Sequence, residues 1–246
     1  RGWPSKLLAE AGPIALELVA PRARAFAAFG ALAQLEVAAQ HELAHQLVRQ
    51  SAEQLIELHD RNSRREWDWF ESSLSYDNAR LPEALILAGR SLGDRGMVER
   101  GLSTLGWLVN QQTSPRGAFR PVGCKSFGRP YSPPLAFDQQ PLLATATIDA
   151  AAAAFRATGD AHWRRVAQQA FAWFFGDNDA GIPLGDATDG SCFDGLMATG
   201  INRNQGAESI LALHLAAQTM RECFGTTKEA GQLRARTADT RSFAAT

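Results

Sequence analysis

Carboxamide and carboxylate side chains gather at three places along the chain. They read Tyr76-Asp77-Asn78-Ala79-Arg80-Leu81-Pro82-Glu83, Phe137-Asp138-Gln139-Gln140-Pro141 and Asn202-Arg203-Asn204-Gln205-Gly206-Ala207-Glu208-Ser209. Their carboxamides Asn78, Gln139 and Gln205 lie 61 and then 66 residues apart. Such groups supply the many neutral donors and acceptors that a polyhydroxylated ligand demands, and Trp67, Trp69, Phe127 and Tyr131 supply flat apolar faces for stacking. If the site is catalytic, two acids at a set separation are the expected machinery of glycosidic cleavage, one protonating the leaving oxygen and one serving the anomeric carbon. The candidates are Asp138 and Glu208, then Asp77 and Asp194, with Glu71 and Glu83 in reserve. Asn78, Arg80, Gln139, Gln140, Asn204, Gln205, Trp67 and Tyr131 are the candidate substrate-binding residues. The competing account is helix capping, which Asp, Asn and a first-turn Glu208 serve equally well. A cap needs one polar side chain per helix, whereas these clusters hold three or four.

The elements that must position them are helices. From Arg22 to His59 the apolar residues Phe26, Phe29, Leu32, Leu35, Leu43, Leu47, Leu55 and Leu58 recur at three- and four-residue steps, predicting an amphipathic helix or a pair of them. Leu81 to Gly89 continues as a helix with Pro82 in its first turn, and Val98 to Val109 returns. The same unit recurs as Pro141 to Thr158, a Gly159-Asp160 turn, and His162 to Phe175. Gly93 precedes Trp107 by 14 residues, as Gly159 precedes Trp173, so both return helices place a core Trp at the same point. Gly- and Pro-rich loops at Gln111 to Ser132 and Gly176 to Gly200 lead into the next cluster, and Ala207 to Phe224 is a third outgoing helix. A repeat of two antiparallel helices predicts an all-α hairpin array, an (α/α) toroid complete or partial, forming a single domain over residues 1–246. Outgoing helices are then parallel, and their N-termini, with free N–H groups, share one rim.

Other motifs compete less well. His41-Glu42-Leu43-Ala44-His45 matches the zinc-peptidase pattern H-E-x-x-H, but neither Glu66 nor Glu71 offers a recognisable third ligand, and a polar helix flank explains both imidazoles. No metal and no cofactor are therefore expected. Cys192 has no activating neighbour in sequence and reads as an inert thiol. No Gly-rich phosphate loop is present. The composition, 45% hydrophobic and 21% charged with a formal net charge of -1, describes a globular chain without the basic stripe of a nucleic-acid binder. No apolar run reaches the roughly 20 residues that span a bilayer. Cys124, Cys192 and Cys223 form neither a metal spacing nor an even disulfide set, which points to the cytoplasm. A chain starting at Arg1 reads as a fragment or a processed product.

Five ordered motifs carry a resemblance. Trp67-Asp68-Trp69-Phe70-Glu71, Leu74 to Pro82, Phe137 to Pro141, Cys192-Phe193-Asp194-Gly195-Leu196 and Asn204 to Ser209 together resemble a bacterial helical domain found with family 4-type glycosyltransferases. That domain is similar to the six-hairpin (α/α) toroids of glycosidases and sugar epimerases. The likeness covers about residues 64–217. It implies a carbohydrate ligand and a glycosyltransferase domain or subunit as partner, by analogy of fold and company. Leu143 stands where the resembled pattern has an acid, and Lys125 and Ser126 where it has an aromatic pair, departures that bear on specificity and on catalysis. About eight helices are legible here, against the twelve of a closed six-hairpin toroid.

Overall fold

The computed structural model describes residues 2–225. Arg1 and residues 226–246 of the expected domain lie outside the described residues. Eight helices make up most of what is described: α1 (Gly2–Ala15), α2 (Pro21–Val37), α3 (Glu42–Asn62), α4 (Arg80–Leu92), α5 (Arg95–Gln111), α6 (Pro141–Thr158), α7 (Ala161–Trp173) and α8 (Ala207–Phe224). One antiparallel ribbon, β1 (Gly195–Met197) with β2 (Gly200–Asn202), interrupts the last loop. The chain is all-α in class.

Local chemistry explains the helix ends. Gly93 and Gly159 close α4 and α6 in the left-handed conformation, φ 71° and 70°, which glycine alone adopts without steric cost. The next residue then starts the return helix: Asp94 accepts from the Met97 N–H and Asp160 from the His162 N–H. These two-residue turns hold α4 against α5 and α6 against α7. The stretch from Arg22 to His59 is the pair of helices its spacing allowed, split at residues 38–41, where His41 caps α3 through its Nδ1. The core face of α2 and one of the two core Trp differ from expectation. The buried face of α2 is its alanine face, Ala25, Ala28 and Ala31, while Phe26 is 50% exposed. Small side chains let α2 approach its neighbours more closely than the Phe/Leu stripe would. Trp173 is core as expected, but Trp107 is only partly buried, stacked on Trp69 with centroids 5.6 Å apart.

The helices form two rows. α2, α4, α6 and α8 lie side by side in sequence order, and α3, α5 and α7 each pack beside the helix they follow. Side-chain contacts fix the direction of α8: Thr145 pairs with Ala212, Asp149 with Thr219 and Phe155 with Phe224, so α8 runs parallel to α6. Every helix in the first row thus starts at the same end. α6 sits in the middle of the packing and is apolar nearly all round, with Ala144, Ala146 and Ala150 through Ala154 all buried. Among the described residues no helix is long and apolar enough to cross a membrane.

Candidate functional site

The two ends of the array differ in loop length. At one end the connections are 38–41, 93–94 and 159–160; at the other they are 63–79, 112–140 and 174–206. Long ordered loops on a packed scaffold are where binding chemistry concentrates. All three polar clusters belong to that end, at the starts of α4, α6 and α8.

Two of those helix starts are built alike. Asp77 and Asp138 both occupy the left-handed region, φ 52° and 62°, a conformation that costs a non-glycine residue free energy and needs an external hold. The next residue supplies the hold. Asn78 Nδ2 donates to the carbonyl of Ser75 and Gln139 Nε2 to that of Ala136, each three residues back. Both carboxamides are buried and engaged through both oxygen and nitrogen. Asn78 Oδ1 accepts from the Ser75 N–H and from Arg22, while Gln139 Oε1 accepts from Trp173 Nε1 at 2.7 Å. Gln139 Nε2 also donates to Asp179, which Arg120 grips through Nε and Nη2. Asn78 and Gln139, expected to orient substrate hydroxyls, instead staple their loops.

The third start differs. Asp194 Oδ1 accepts from the Gly206 N–H at 2.7 Å, so a carboxylate from the preceding loop caps α8, while Asn204, Gln205 and Glu208 are exposed. Gln139 and Leu196 exchange both backbone hydrogen bonds, which sets the segments carrying Asp138 and Asp194 side by side. Asp138 is partly exposed and faces Lys125 Nζ at 3.2 Å. Gln140, half-buried at the N-cap of α6, makes no capping bond with its side chain. Cys192 is buried, its thiol pushed up to about 12 by burial and then by Asp194, consistent with an unreactive sulfur.

Asp77 and Arg80 belong to a buried polar chain that sequence spacing does not reveal. Arg22 of α2 donates to the Tyr76 carbonyl, to Glu71 at 2.7 Å and to Asn78. Arg80 of α4 reaches Glu83 at 2.8 Å and Asp149 of α6 at 2.9 Å, and Thr219 of α8 donates to Asp149 at 2.6 Å. The chain therefore touches all four helices of the first row. Asp77 Oδ1 and Arg80 Nε, 3.5 Å apart, are buried without a hydrogen bond. Burial raises the Asp77 pKa against the pull of Arg80 and Arg22, and burial raises Glu83 to about 7. Arg80 is held above its ordinary value: burial lowers it, but Glu83, Asp149 and Asp77 outweigh that. The one available signal for this chain was Asp149, a lone charge in an alanine run, because a buried charge needs a partner.

The aromatic candidates divide. Trp69 is fully buried and Trp67 nearly so, its Nε1 donating to the Glu71 carbonyl, so neither ring lies open for stacking. Phe127 is half-buried. Tyr76 and Tyr131, the only two tyrosines in the chain, are 48% and 44% exposed on the long loops, each with an arginine guanidinium 5.3 Å from its ring centre.

The histidine motif has no metal-binding geometry. His41 Nδ1 accepts from Ala44, His45 Nε2 meets the Ala39 carbonyl, and among the described residues no three His, Cys, Asp or Glu side chains gather as a metal site. The Ser103–Asp68–His59 grouping has its carboxylate in the middle, accepting from Ser103 and paired to His59, so no base reaches the serine oxygen. Comparison with known protein families and with curated proteins finds no match.

Proposed function

We propose that the chain is a carbohydrate-handling domain, an (α/α) toroid-like array whose long-loop rim holds a glycan. The observation that carries this reading is the placement of both tyrosines, half-open to solvent on that rim among exposed amides and acids. Sugar recognition asks for that combination of aromatic faces and neutral polar groups. Asp138 and Glu208 are the candidate acids committed neither to a helix cap nor to the buried chain, with Gln140, Asn204 and Gln205 beside them in sequence as hydroxyl partners. The reaction class is glycan processing of the glycosidase type, in company with a glycosyltransferase domain or subunit. All three cysteines are free thiols, which fits the cytoplasm.

A glycan panel tests it. The protein is expected to bind at least one glycan and to release reducing ends from it, and Asp138→Asn is expected to keep binding within about threefold while lowering turnover roughly 10²- to 10⁴-fold, the range for a general acid or base. Failure to bind any glycan would sink the reading. The second reading, a non-catalytic sugar-binding or partner-docking module, is favoured by two acids being spent on the fold, Asp77 in the buried chain and Asp194 on the α8 cap. Binding with no turnover on any glycan decides for it.

A further inference from the structure

We propose that the depression between loops 63–79 and 112–140 is a subsite for one pyranose ring that carries no carboxylate, a reading that deepens the carbohydrate assignment and rests on it. The depression has a volume of about 460 Å³, within the usual range of small-molecule sites, and is lined by Arg64, Glu66, Trp67, Gln111, Tyr131 and Pro133. Asp138 and Glu208 are not among its lining residues, so it is a separate place on the long-loop end from the candidate acids.

Tyr131 is its wall. The residue sits at φ 47°, a strained backbone for tyrosine, held by its N–H donating to the Ser72 carbonyl at 2.6 Å. Strain of this kind persists where the surroundings over-determine it and gathers at ligand sites. The ring meets Trp67 edge-on with centroids 5.8 Å apart, and Arg64 both lies over the ring and donates to its hydroxyl at 3.3 Å. The aromatic face is thus set by two neighbours before any ligand arrives, which lowers the ordering cost of binding.

The polar lining selects the ligand. Arg64 only donates, an ionised Glu66 only accepts, and Gln111 does both. Among the described residues nothing bonds the Glu66 carboxylate or the Gln111 carboxamide. A sugar hydroxyl is donor and acceptor at once, so adjacent hydroxyls satisfy the Glu66 carboxylate and the Gln111 carboxamide, the two groups left without partners. A uronate would bring its carboxylate beside the unbonded Glu66, while the Arg64 guanidinium that could offset it is already engaged by the Arg61 and Ser63 carbonyls and the Tyr131 hydroxyl; a ring without a carboxylate avoids that repulsion.

Titration of the whole chain with methyl glucoside, galactoside and mannoside and with their uronate counterparts, followed by ligand-observed NMR, tests the assignment. At least one neutral glycoside is expected to bind, with its uronate at least fivefold weaker. Tyr131→Gly removes the ring while glycine accepts the left-handed backbone freely, so the fold is spared and binding is expected to fall at least tenfold. Tyr131→Phe keeps the ring and is expected to stay within threefold. Neutral-glycoside binding that survives Tyr131→Gly, or a preference for uronates, overturns this subsite and leaves the wider rim reading standing. A chain that binds these glycosides nowhere, yet binds a longer glycan on the panel, also overturns it; no glycan binding at all overturns both.

Discussion

An Arg80→Met protein unfolds at a clearly lower urea concentration at pH 7.5, a loss of roughly 3–5 kcal/mol, because removing one partner of a buried ion cluster strands the others. Glu83, Asp149 and Asp77 all face Arg80, and no second guanidinium bonds Glu83 or Asp149 among the described residues. The same cluster makes stability depend on pH. Burial lifts Glu83 from an ordinary 4.5 to about 7, so between those values the folded chain holds a proton that the unfolded chain has released. Stability therefore falls as pH rises from about 4.5 to about 7, by roughly 1–3 kcal/mol, and is level above that; the raised Asp77 acts in the same direction. Glu83→Gln removes most of this slope and recovers part of the Arg80→Met loss. Urea melts at unchanged m across pH 5 to 8 check both results. A slope that persists in Glu83→Gln rules out Glu83 as its source.

Gln139→Leu has the next largest effect, a loss of roughly 2–4 kcal/mol, from leaving buried polar groups without partners. Leucine fills most of the space but returns nothing to Trp173 Nε1, to Asp179 or to the Ala136 carbonyl. Trp173→Phe in the Gln139→Leu background removes one stranded donor, so the double variant loses less than the two single losses summed. An additive cycle in thermal or urea melts would show that the indole and the carboxamide act independently. Since Gln139 holds Asp138 in its left-handed backbone, the same variant also disturbs the rim.

Helix existence and order were legible in the chain because α6 is a long alanine-rich run opened by Pro141 and closed by Gly159, and because glycine followed by aspartate marks the turns before α5 and α7. The bounds Pro141–Thr158 and Ala207–Phe224 follow directly from proline, glycine and the apolar run. The roles of the polar clusters were not legible. Asn78 and Gln139 look identical in sequence to sugar-binding carboxamides, and only their partners, Arg22 at a separation of 56 residues and Trp173 at 34, reveal them as internal staples. Spacing patterns report neighbours on one element; they are silent about partners brought together by packing. Trp67 and Trp69 misled for a related reason, since aromatic rings that suit a ligand suit a core as well.

The polar chain from Arg22 to Thr219 has a consequence for how the array holds together. In repeat proteins where each unit meets only its neighbours, end units fray independently of the rest. Here the charge on Arg22 acts on Asp77, Asp77 on Arg80, and Arg80 on Asp149, to which Thr219 is bonded. Loss of the first helix leaves Asp77 without the Arg22 charge, and loss of the last takes from Asp149 the Thr219 hydroxyl, so both ends of the row are tied to the ion cluster at its centre. Four helices that look like a modular series are therefore expected to unfold together.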